Sequence, residues 1–99
     1  MTAYVIYQCE VLDPGRYEEY KSQAGPSVRA AGGRYIVRGG DVQVLEGDPP
    51  ASRTVVVEFP DRQSALDWYR GEEYTRARKI REGAATARMY VIDGVEAGT

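Results

Sequence analysis

Runs of apolar residues, separated by polar and turn-forming residues, predict four strands in this chain. The strands are expected over Ala3–Val11, Arg34–Arg38, Arg53–Phe59 and Arg88–Asp93. β-Branched and aromatic residues are frequent in each run, as a pleated and partly buried surface favours. The third run is the most strand-like, with three consecutive valines and a closing Phe before Pro60.

Helical regions separate these strands. Asp13-Pro14 suits the N-cap and first turn of a helix whose apolar positions recur every three or four residues. Gly25-Pro26 predicts an interruption of that helix, because proline has no N–H donor. Asp61 is expected to cap a second helix, Gly71 to end it, and Glu73 to begin a third helical segment.

The connection between the second and third strands contains a further apolar run. Val42–Glu46 predicts a short strand, either a hairpin partner or a continuation of the second strand after a bulge. Gly47–Ser52 has the composition of a loop. Residues 1–94 are expected to form one domain, and residues 95–99 a flexible tail.

The order of elements is β-α-β-β-α-β, with one strand-helix-strand unit in each half of the chain. This order predicts a ferredoxin-like α+β fold with a single antiparallel sheet. Because strand-helix-strand crossovers are right-handed, both helical regions are expected on the same face of that sheet.

Alternation along the strands assigns each residue to one face of the sheet. The set expected under the helices is almost wholly apolar: Val5, Tyr7, Cys9, Val11, Tyr35, Val37, Val55, Val57, Phe59, Met89 and Val91. The other set mixes apolar and charged residues: Tyr4, Ile6, Gln8, Glu10, Arg34, Ile36, Arg38, Thr54, Val56, Glu58, Arg88, Tyr90 and Ile92. An apolar surface of this size favours a partner, so we expect a homodimer that packs through its sheet faces.

Composition narrows the class of protein. The formal net charge is -2, and the arginines are interleaved with acidic residues, so neither a nucleic-acid partner nor a membrane partner is expected. No apolar run reaches the roughly 18 residues of a membrane span. A single cysteine, Cys9, cannot form an internal disulfide, and a cytoplasmic location is therefore expected.

Two residue types are missing and exclude several kinds of site. The chain has no His and no Asn. Histidine-ligated haem or zinc and Ser-His-Asp or Cys-His catalysis are therefore impossible within the chain. We expect no cofactor and no metal site, and any proton transfer would use Asp, Glu, Tyr, Lys or Cys.

Several motifs are shared with a known family. They are Tyr4-Val5-Ile6, Asp13-Pro14, Tyr17-Glu18-Glu19-Tyr20, residues 32–40 (GGRYIVRGG), Val44-Leu45-Glu46-Gly47, Val57-Glu58-Phe59-Pro60, residues 65–69 (ALDWY) and Glu73-Tyr74. In these residues the chain resembles the family known as domain of unknown function 1330, in the dimeric α/β-barrel superfamily. The resemblance implies a ferredoxin-like protomer and a sheet-to-sheet dimer, and it supplies no reaction.

The dimer-facing side of the sheet carries one candidate site. Arg38 and Arg88, with Tyr4, are expected to hold a small anionic ligand through paired N–H donors. Glu58 lies in the same set and is the candidate catalytic acid or base. The alternative interpretation makes Glu58 an ion-pair partner of an arginine that sets the dimer register.

The helix-facing side carries a second candidate site. Trp68 and Tyr69, with Tyr7, Tyr17, Tyr20, Tyr35 and Tyr74, could line an aromatic pocket with polar tips. The alternative is ordinary core packing.

The preferred function is a homodimeric protein with a pocket for a small anionic or aromatic metabolite. A cofactor-free isomerase or monooxygenase-like enzyme and a non-catalytic dimerisation module remain as alternatives.

Overall fold

The computed structural model describes residues 1–96, which form one antiparallel sheet and three helices. The elements in chain order are β1 Ala3–Val11, α1 Pro14–Ala30, β2 Arg34–Arg38, β3 Arg53–Phe59, α2 Arg62–Arg70, α3 Glu72–Arg81 and β4 Ala85–Asp93. Gly71 separates α2 from α3, as expected. The predicted helical segment after Gly71 is therefore a full helix, and the order becomes β-α-β-β-α-α-β.

The sheet order is β2-β3-β1-β4, with every neighbouring pair antiparallel. This arrangement confirms the predicted ferredoxin-like α+β fold. β1 is central and pairs Val5 with Val57 on one side and with Val91 on the other. β2 and β4 are the edge strands.

The core lies between one face of the sheet and the helices. We call this the helix face, and Val5, Tyr7, Cys9, Val55, Val57 and Phe59 are its buried members on β1 and β3. The largest fully buried side chains of the described residues are Tyr74, Phe59, Val28 and Cys9. The predicted alternation on β1 and β3 is confirmed, because both strands alternate buried and partly exposed residues.

Two local predictions for α1 had different outcomes. Asp13 is the N-cap, and its side chain accepts a hydrogen bond from the Arg16 N–H. The interruption predicted at Gly25-Pro26 is wrong, because the helix continues through Pro26 to Ala30. Burial on both sides of the proline, including Ala24 and Val28, outweighs the single backbone hydrogen bond that proline removes.

The predicted strand Val42–Glu46 is also wrong for this protomer. Residues 39–52 contain no helix or strand, and we call them the arm. Gly39 has a positive φ of 74° and donates its N–H to the Thr54 carbonyl, which turns the chain out of the sheet at the end of β2. β4, by contrast, begins at Ala85 opposite Val11, three residues before the predicted start.

A β-bulge in β2 changes the predicted faces at the end of this strand. Tyr35 pairs with Val57 and Val37 with Val56, so Ile36 is an extra residue. Alternation therefore reverses after Tyr35, and Arg38 pairs with Val55 of the helix face. The assignment of Val37 to the helix face and of Arg38 to the opposite face is wrong for this reason.

The sheet face opposite the helices is uncovered within the protomer, and we call it the open face. It carries Tyr4, Ile6 and Gln8 of β1, Val56 and Glu58 of β3, and Arg88, Tyr90 and Ile92 of β4. Tyr90 and Ile92 are each 51% exposed.

None of the helices in residues 1–96 is long and apolar enough to cross a membrane. Residues 97–99 of the predicted tail lie outside the described residues.

Replacement of Gly33 by alanine should destabilise the fold. A Cβ at Gly33 would lie 2.7 Å from the ring of Phe59, which is fully buried. Overpacking of this kind costs about 1–3 kcal/mol of the free energy of unfolding. Gly40→Ala is the matched control, because a Cβ there meets nothing within 4 Å. Urea denaturation of the two variants checks the prediction, and equal midpoints would contradict it.

Candidate functional site

The helix face contains a small cavity beneath α1. Its volume is about 30 Å³, which is room for about one water molecule. Aromatic side chains form much of its wall: Tyr7, Tyr17, Tyr20, Tyr35 and Trp68. α1 supplies Tyr17 and Tyr20 from its buried stripe, and the strands supply Tyr7 and Tyr35.

Tyrosine hydroxyls form two hydrogen-bonded groups in this part of the core. The Tyr17 hydroxyl donates to the Tyr7 hydroxyl at 3.3 Å and lies 3.4 Å from the Cys9 Sγ. The hydroxyls of Tyr20 and Tyr74 lie 2.8 Å apart. The hydroxyl tips of these tyrosines therefore satisfy one another within the core, where the sequence had left open a polar-tipped pocket or ordinary core packing.

Burial raises the pKa of these tyrosines above the ordinary value of 10.0. Desolvation is the largest cause for Tyr7, Tyr17, Tyr20 and Tyr74. Each hydroxyl therefore keeps its proton at neutral pH. In this state the tyrosines can donate hydrogen bonds to a ligand, and they do not serve as general bases.

Three cationic side chains line the same cavity. They belong to Lys21, Arg38 and Arg53, and no carboxylate among residues 1–96 lines it with them, but Lys21 forms an ion pair with Glu18 of α1 at 2.8 Å. The Arg38 guanidinium lies 4.2 Å from the centre of the Tyr35 ring, and that of Arg53 lies 5.7 Å from the centre of the Tyr17 ring. The cavity therefore has a positive and aromatic lining.

Arg53 brings an unused hydrogen-bond donor to this lining. Its Nε is buried and has no partner within the described part of the chain. A buried donor without a partner is destabilising by about 1–3 kcal/mol. An anionic oxygen at the cavity would supply the missing acceptor.

A fourth cation, Arg81 of α3, lies behind the tyrosines. Its guanidinium is 5.4 Å from the centre of the Tyr7 ring and 5.6 Å from that of Tyr20. Its Nη1 is buried and is the second side-chain donor without a partner in residues 1–96. Arg81 forms no ion pair with a carboxylate among residues 1–96, so its charge adds to the positive potential near the tyrosines.

Sequence reasoning missed Arg53 and Lys21 as site residues, although signals for both were present. Arg53 precedes Val55 and Val57 with the same parity, which places it on the helix face. Lys21 directly follows Tyr20 of the buried stripe on α1. Arg81 follows the buried Tyr74 and Ala77 of α3 at helical spacing, and a cation at that position was a signal of a polar site.

The site predicted on the open face is not assembled within one protomer. Arg38 lies at the helix-face cavity, while Glu58 and Arg88 remain on the open face. Glu58 pairs with Tyr4 of β1, and Arg88 pairs with Gln8, four residues further along the same strand. Glu58 and Arg88 are therefore about 13 Å apart along the strand direction. Glu58 instead forms an ion pair with Arg34 at 3.3 Å, with 29% of its side chain exposed.

Trp68 and Tyr69 lie on α2, and both are held by hydrogen bonds. Trp68 Nε1 donates to the Ser27 hydroxyl at 3.0 Å, and Arg78 donates to the Tyr69 hydroxyl at 2.6 Å. Trp68 lines the cavity beneath α1. Both residues also line an apolar slot of about 150 Å³ between α2 and β4.

The residues present favour no metal centre. Residues 1–96 contain no group of three or more His, Cys, Asp or Glu side chains that could hold a metal ion. The acidic side chains nearest the helices cap or pair locally, as Asp61 does with the Ser64 N–H at 2.7 Å. The chemistry of this region is that of hydroxyls, aromatic rings and guanidinium groups.

The family model described as Domain of unknown function (DUF1330) matches residues 2–95. No curated protein matches the chain. The solved structure of RPA0582, a protein of unknown function from Rhodopseudomonas palustris, is 18% identical with a TM-score of 0.73. The match covers 96% of this chain and 83% of that chain.

Two further solved structures have the same fold and carry functional descriptions of their own. SnoaB, a cofactor-independent oxygenase from Streptomyces nogalater, is 10% identical with a TM-score of 0.67, covering 98% of this chain and 96% of that chain. A putative antibiotic biosynthesis monooxygenase from Nitrosomonas europaea is 17% identical with a TM-score of 0.63, covering 96% of this chain and 99% of that one. At these identities the likeness establishes the fold alone.

Alkaline pH should destabilise the protein through its buried tyrosines. Because their folded-state pKa is raised, the stability that they contribute is complete below about pH 10. Above that pH the unfolded chain releases protons that the folded chain retains, so each such tyrosine lowers the free energy of unfolding by up to about 1.4 kcal/mol per pH unit. Urea denaturation at a series of alkaline pH values, with tyrosinate absorbance as the second readout, checks this. Titration of all eight tyrosines without unfolding would contradict it.

Proposed function

We propose that this chain, which belongs to the DUF1330 family, is a homodimeric protein whose helix-face cavity binds the anionic group of a small carboxylate or phenol. The observation that carries the proposal is a lining with Arg38 and Arg53, neither of which forms an ion pair within residues 1–96, and with no carboxylate among those residues. The unpartnered Arg53 Nε supports the same ligand class, because a carboxylate or phenolate oxygen is the acceptor that it lacks.

Size restricts how such a ligand enters. A cavity of about 30 Å³ does not hold an aromatic ring, and typical ligand sites enclose about 300–1,000 Å³. Arg38 is exposed and Lys21 is half-buried, so these long side chains can swing outwards to widen the entrance. The anionic group then lies against Arg53 and the Tyr17 hydroxyl, while the rest of the ligand stacks under Arg38 and Tyr35.

Open-face residues remain part of the wider proposal. Tyr4, Glu58 and Arg88 lie on the surface that we propose for the dimer contact. The apolar members of the open face support a homodimer, because Tyr90 and Ile92 are exposed to water in the protomer. The proposed setting is the cytoplasm, because the single cysteine is a free buried thiol.

A cofactor-free isomerase or monooxygenase-like enzyme is the second candidate. The fold shared with SnoaB supports it, as that protein is described as a cofactor-independent oxygenase. Such an enzyme needs a base, and the polar groups that line the cavity are neutral tyrosine hydroxyls and cationic side chains. Glu58, on the open face and away from the cavity, is the carboxylate proposed for this role, so the enzyme would use a site on that face. Turnover that Glu58→Gln abolishes in an intact dimer would favour the enzyme. A purely structural dimer is the third candidate, and it predicts no ligand.

Benzoate should stabilise the protein, whereas its neutral counterpart benzyl alcohol should not. At about 100 times its dissociation constant a ligand stabilises by roughly 2.7 kcal/mol, which corresponds to a rise in Tm on the order of ten degrees. A thermal-shift assay measures the effect. Equal shifts with the two compounds would contradict an anion site.

Arg53→Gln should weaken benzoate binding roughly ten- to a hundred-fold, because it removes a charge-assisted hydrogen bond. Arg76→Gln is the matched control, since Arg76 is an exposed arginine of α3 away from the cavity. Isothermal titration calorimetry of both variants with benzoate distinguishes binding at the cavity from non-specific attraction by surface cations. Equal losses in the two variants would reject the cavity.

Ile92→Asp should dissociate the homodimer, because it places a charge on the apolar open face. Sedimentation velocity should then show a monomer, while Leu12→Asp should leave the dimer intact. Leu12 is a suitable control because it is 63% exposed and lies in the turn after β1. A dimer that tolerates Ile92→Asp would place the contact elsewhere.

A further inference from the structure

The arm exposes an apolar segment with strand propensity. Every residue from 39 to 50 is exposed, and Val42, Val44 and Leu45 are 51%, 44% and 88% exposed. Such a group of exposed apolar residues marks a surface for interaction. The alternation of valine with polar residues predicts a strand, yet the arm has no ladder partner within the described residues.

One edge of the sheet can receive an added strand. β4 pairs only with β1, so its outer backbone groups are not used in the ladder. Strand addition at a free edge supplies main-chain hydrogen bonds, and pockets along the edge select the side chains. The apolar slot between α2 and β4 lies beside this edge, and it is lined by Leu66, Tyr69, Met89 and Val91 among others.

The slot fits a single apolar side chain. Its volume is about 150 Å³, and an apolar cavity of about that volume accommodates a benzene-sized group. Leu66, Tyr69, Met89 and Val91 are all partly exposed, so the slot reaches the surface. Leu45 is 88% exposed, more than any other large apolar residue in 1–96, so burial in such a site would remove the most apolar surface from water.

We propose that the arm of one protomer adds to the free edge of β4 in a second copy of this chain, with Leu45 in the slot between α2 and β4. Alternation in the added strand places Val42 and Val44 on the side of the open face and Leu45 on the side of the helices. The proposal rests on the homodimer of the proposed function and identifies the segment that completes it.

Charge supports a second copy as the occupant. The arm carries Asp41, Glu46 and Asp48 and no Lys or Arg, and none of these carboxylates forms an ion pair within residues 1–96. β4 carries Arg88, which is exposed and likewise has no ion-pair partner in the described chain. Opposite charges on the arm and on its proposed edge suit a twofold contact, in which each copy supplies both surfaces.

The area required by a stable dimer supports the arm as well. Four strands about 4.8 Å apart and roughly 20 Å long present a face on the order of 400 Å². A stable interface buries about 800 Å² on each partner. The open face is therefore a small contact for a stable dimer, and the two exchanged arms would extend the contact beyond it.

Because Trp68 and Met89 line both the slot and the cavity beneath α1, the partner's Leu45 would pack against the wall of the proposed ligand site. Dimerisation through the arm would thereby restrict the movement of that wall.

Leu45→Asp tests the proposal without a change in the core. The exposed position keeps the protomer folded, which circular dichroism checks, while the charge is excluded from the slot. Sedimentation velocity should show at least a tenfold increase in the dimer dissociation constant for Leu45→Asp and none for Leu12→Asp. Equal dissociation constants for these two variants would overturn the proposal.

Covalent cross-linking tests the location directly. A tagged Leu45→Cys chain and an untagged Leu66→Cys chain are mixed and treated with a short bismaleimide. The native Cys9 is 1% exposed, so the reagent meets the introduced thiols. A mixed covalent dimer is expected, and Leu12→Cys in place of Leu45→Cys should give none.

Absence of the mixed product from a sample that sediments as a dimer would overturn the arm contact. A monomeric wild-type protein would overturn both the arm contact and the homodimer, while benzoate binding decides the ligand part separately.

Discussion

Helices cover only one face of the sheet, and most features of this protein follow from that constraint. Both strand-helix-strand units cross on the same side, so β1 and β3 bury alternate residues against α1, α2 and α3. The same alternation presents Tyr4, Ile6 and Val56 to the other side. The fold thus produces a packed core and, inseparably, a surface that one protomer leaves uncovered. The core holds the candidate ligand site, and the uncovered surface favours self-association.

The candidate site exists because a polar and cationic group is built into an otherwise apolar layer. A core made only of valine and leucine would pack more simply, whereas this one contains four buried tyrosines with the guanidinium groups of Arg53 and Arg81 beside them. Their hydroxyls satisfy one another in pairs, but two arginine donors remain without acceptors in residues 1–96. Buried donors of this kind are destabilising. A function that supplies an anionic acceptor explains their presence better than stability does.

The sequence predicted the regular parts of the structure and missed the irregular ones. Alternation predicted the faces of β1 and β3 correctly, because hydrophobic burial acts on every second residue. The extra residue Ile36 reversed the faces at the end of β2, and no local property of Arg38 reveals such a bulge. Pro26 predicted a break that tertiary packing of α1 overrides. The tyrosine-rich composition suggested either a pocket or ordinary core packing on the helix face, whereas the entry of Arg38 into the cavity lining depended on register.

The strand predicted at Val42–Glu46 failed for a different reason, and the failure is informative. Local propensity favours an extended, partly buried segment there, but within the protomer the segment pairs with neither free edge of the sheet. A segment that is apolar, strand-forming and exposed is unfavourable in an isolated chain and favourable in an assembly that covers it. The bulge, the turn at Gly39 and the free edge of β4 then have one explanation in common. In the assembly that we propose, β2 ends early and the chain after it leaves its own sheet to pair with that of a second copy, beside the wall of the tyrosine cavity.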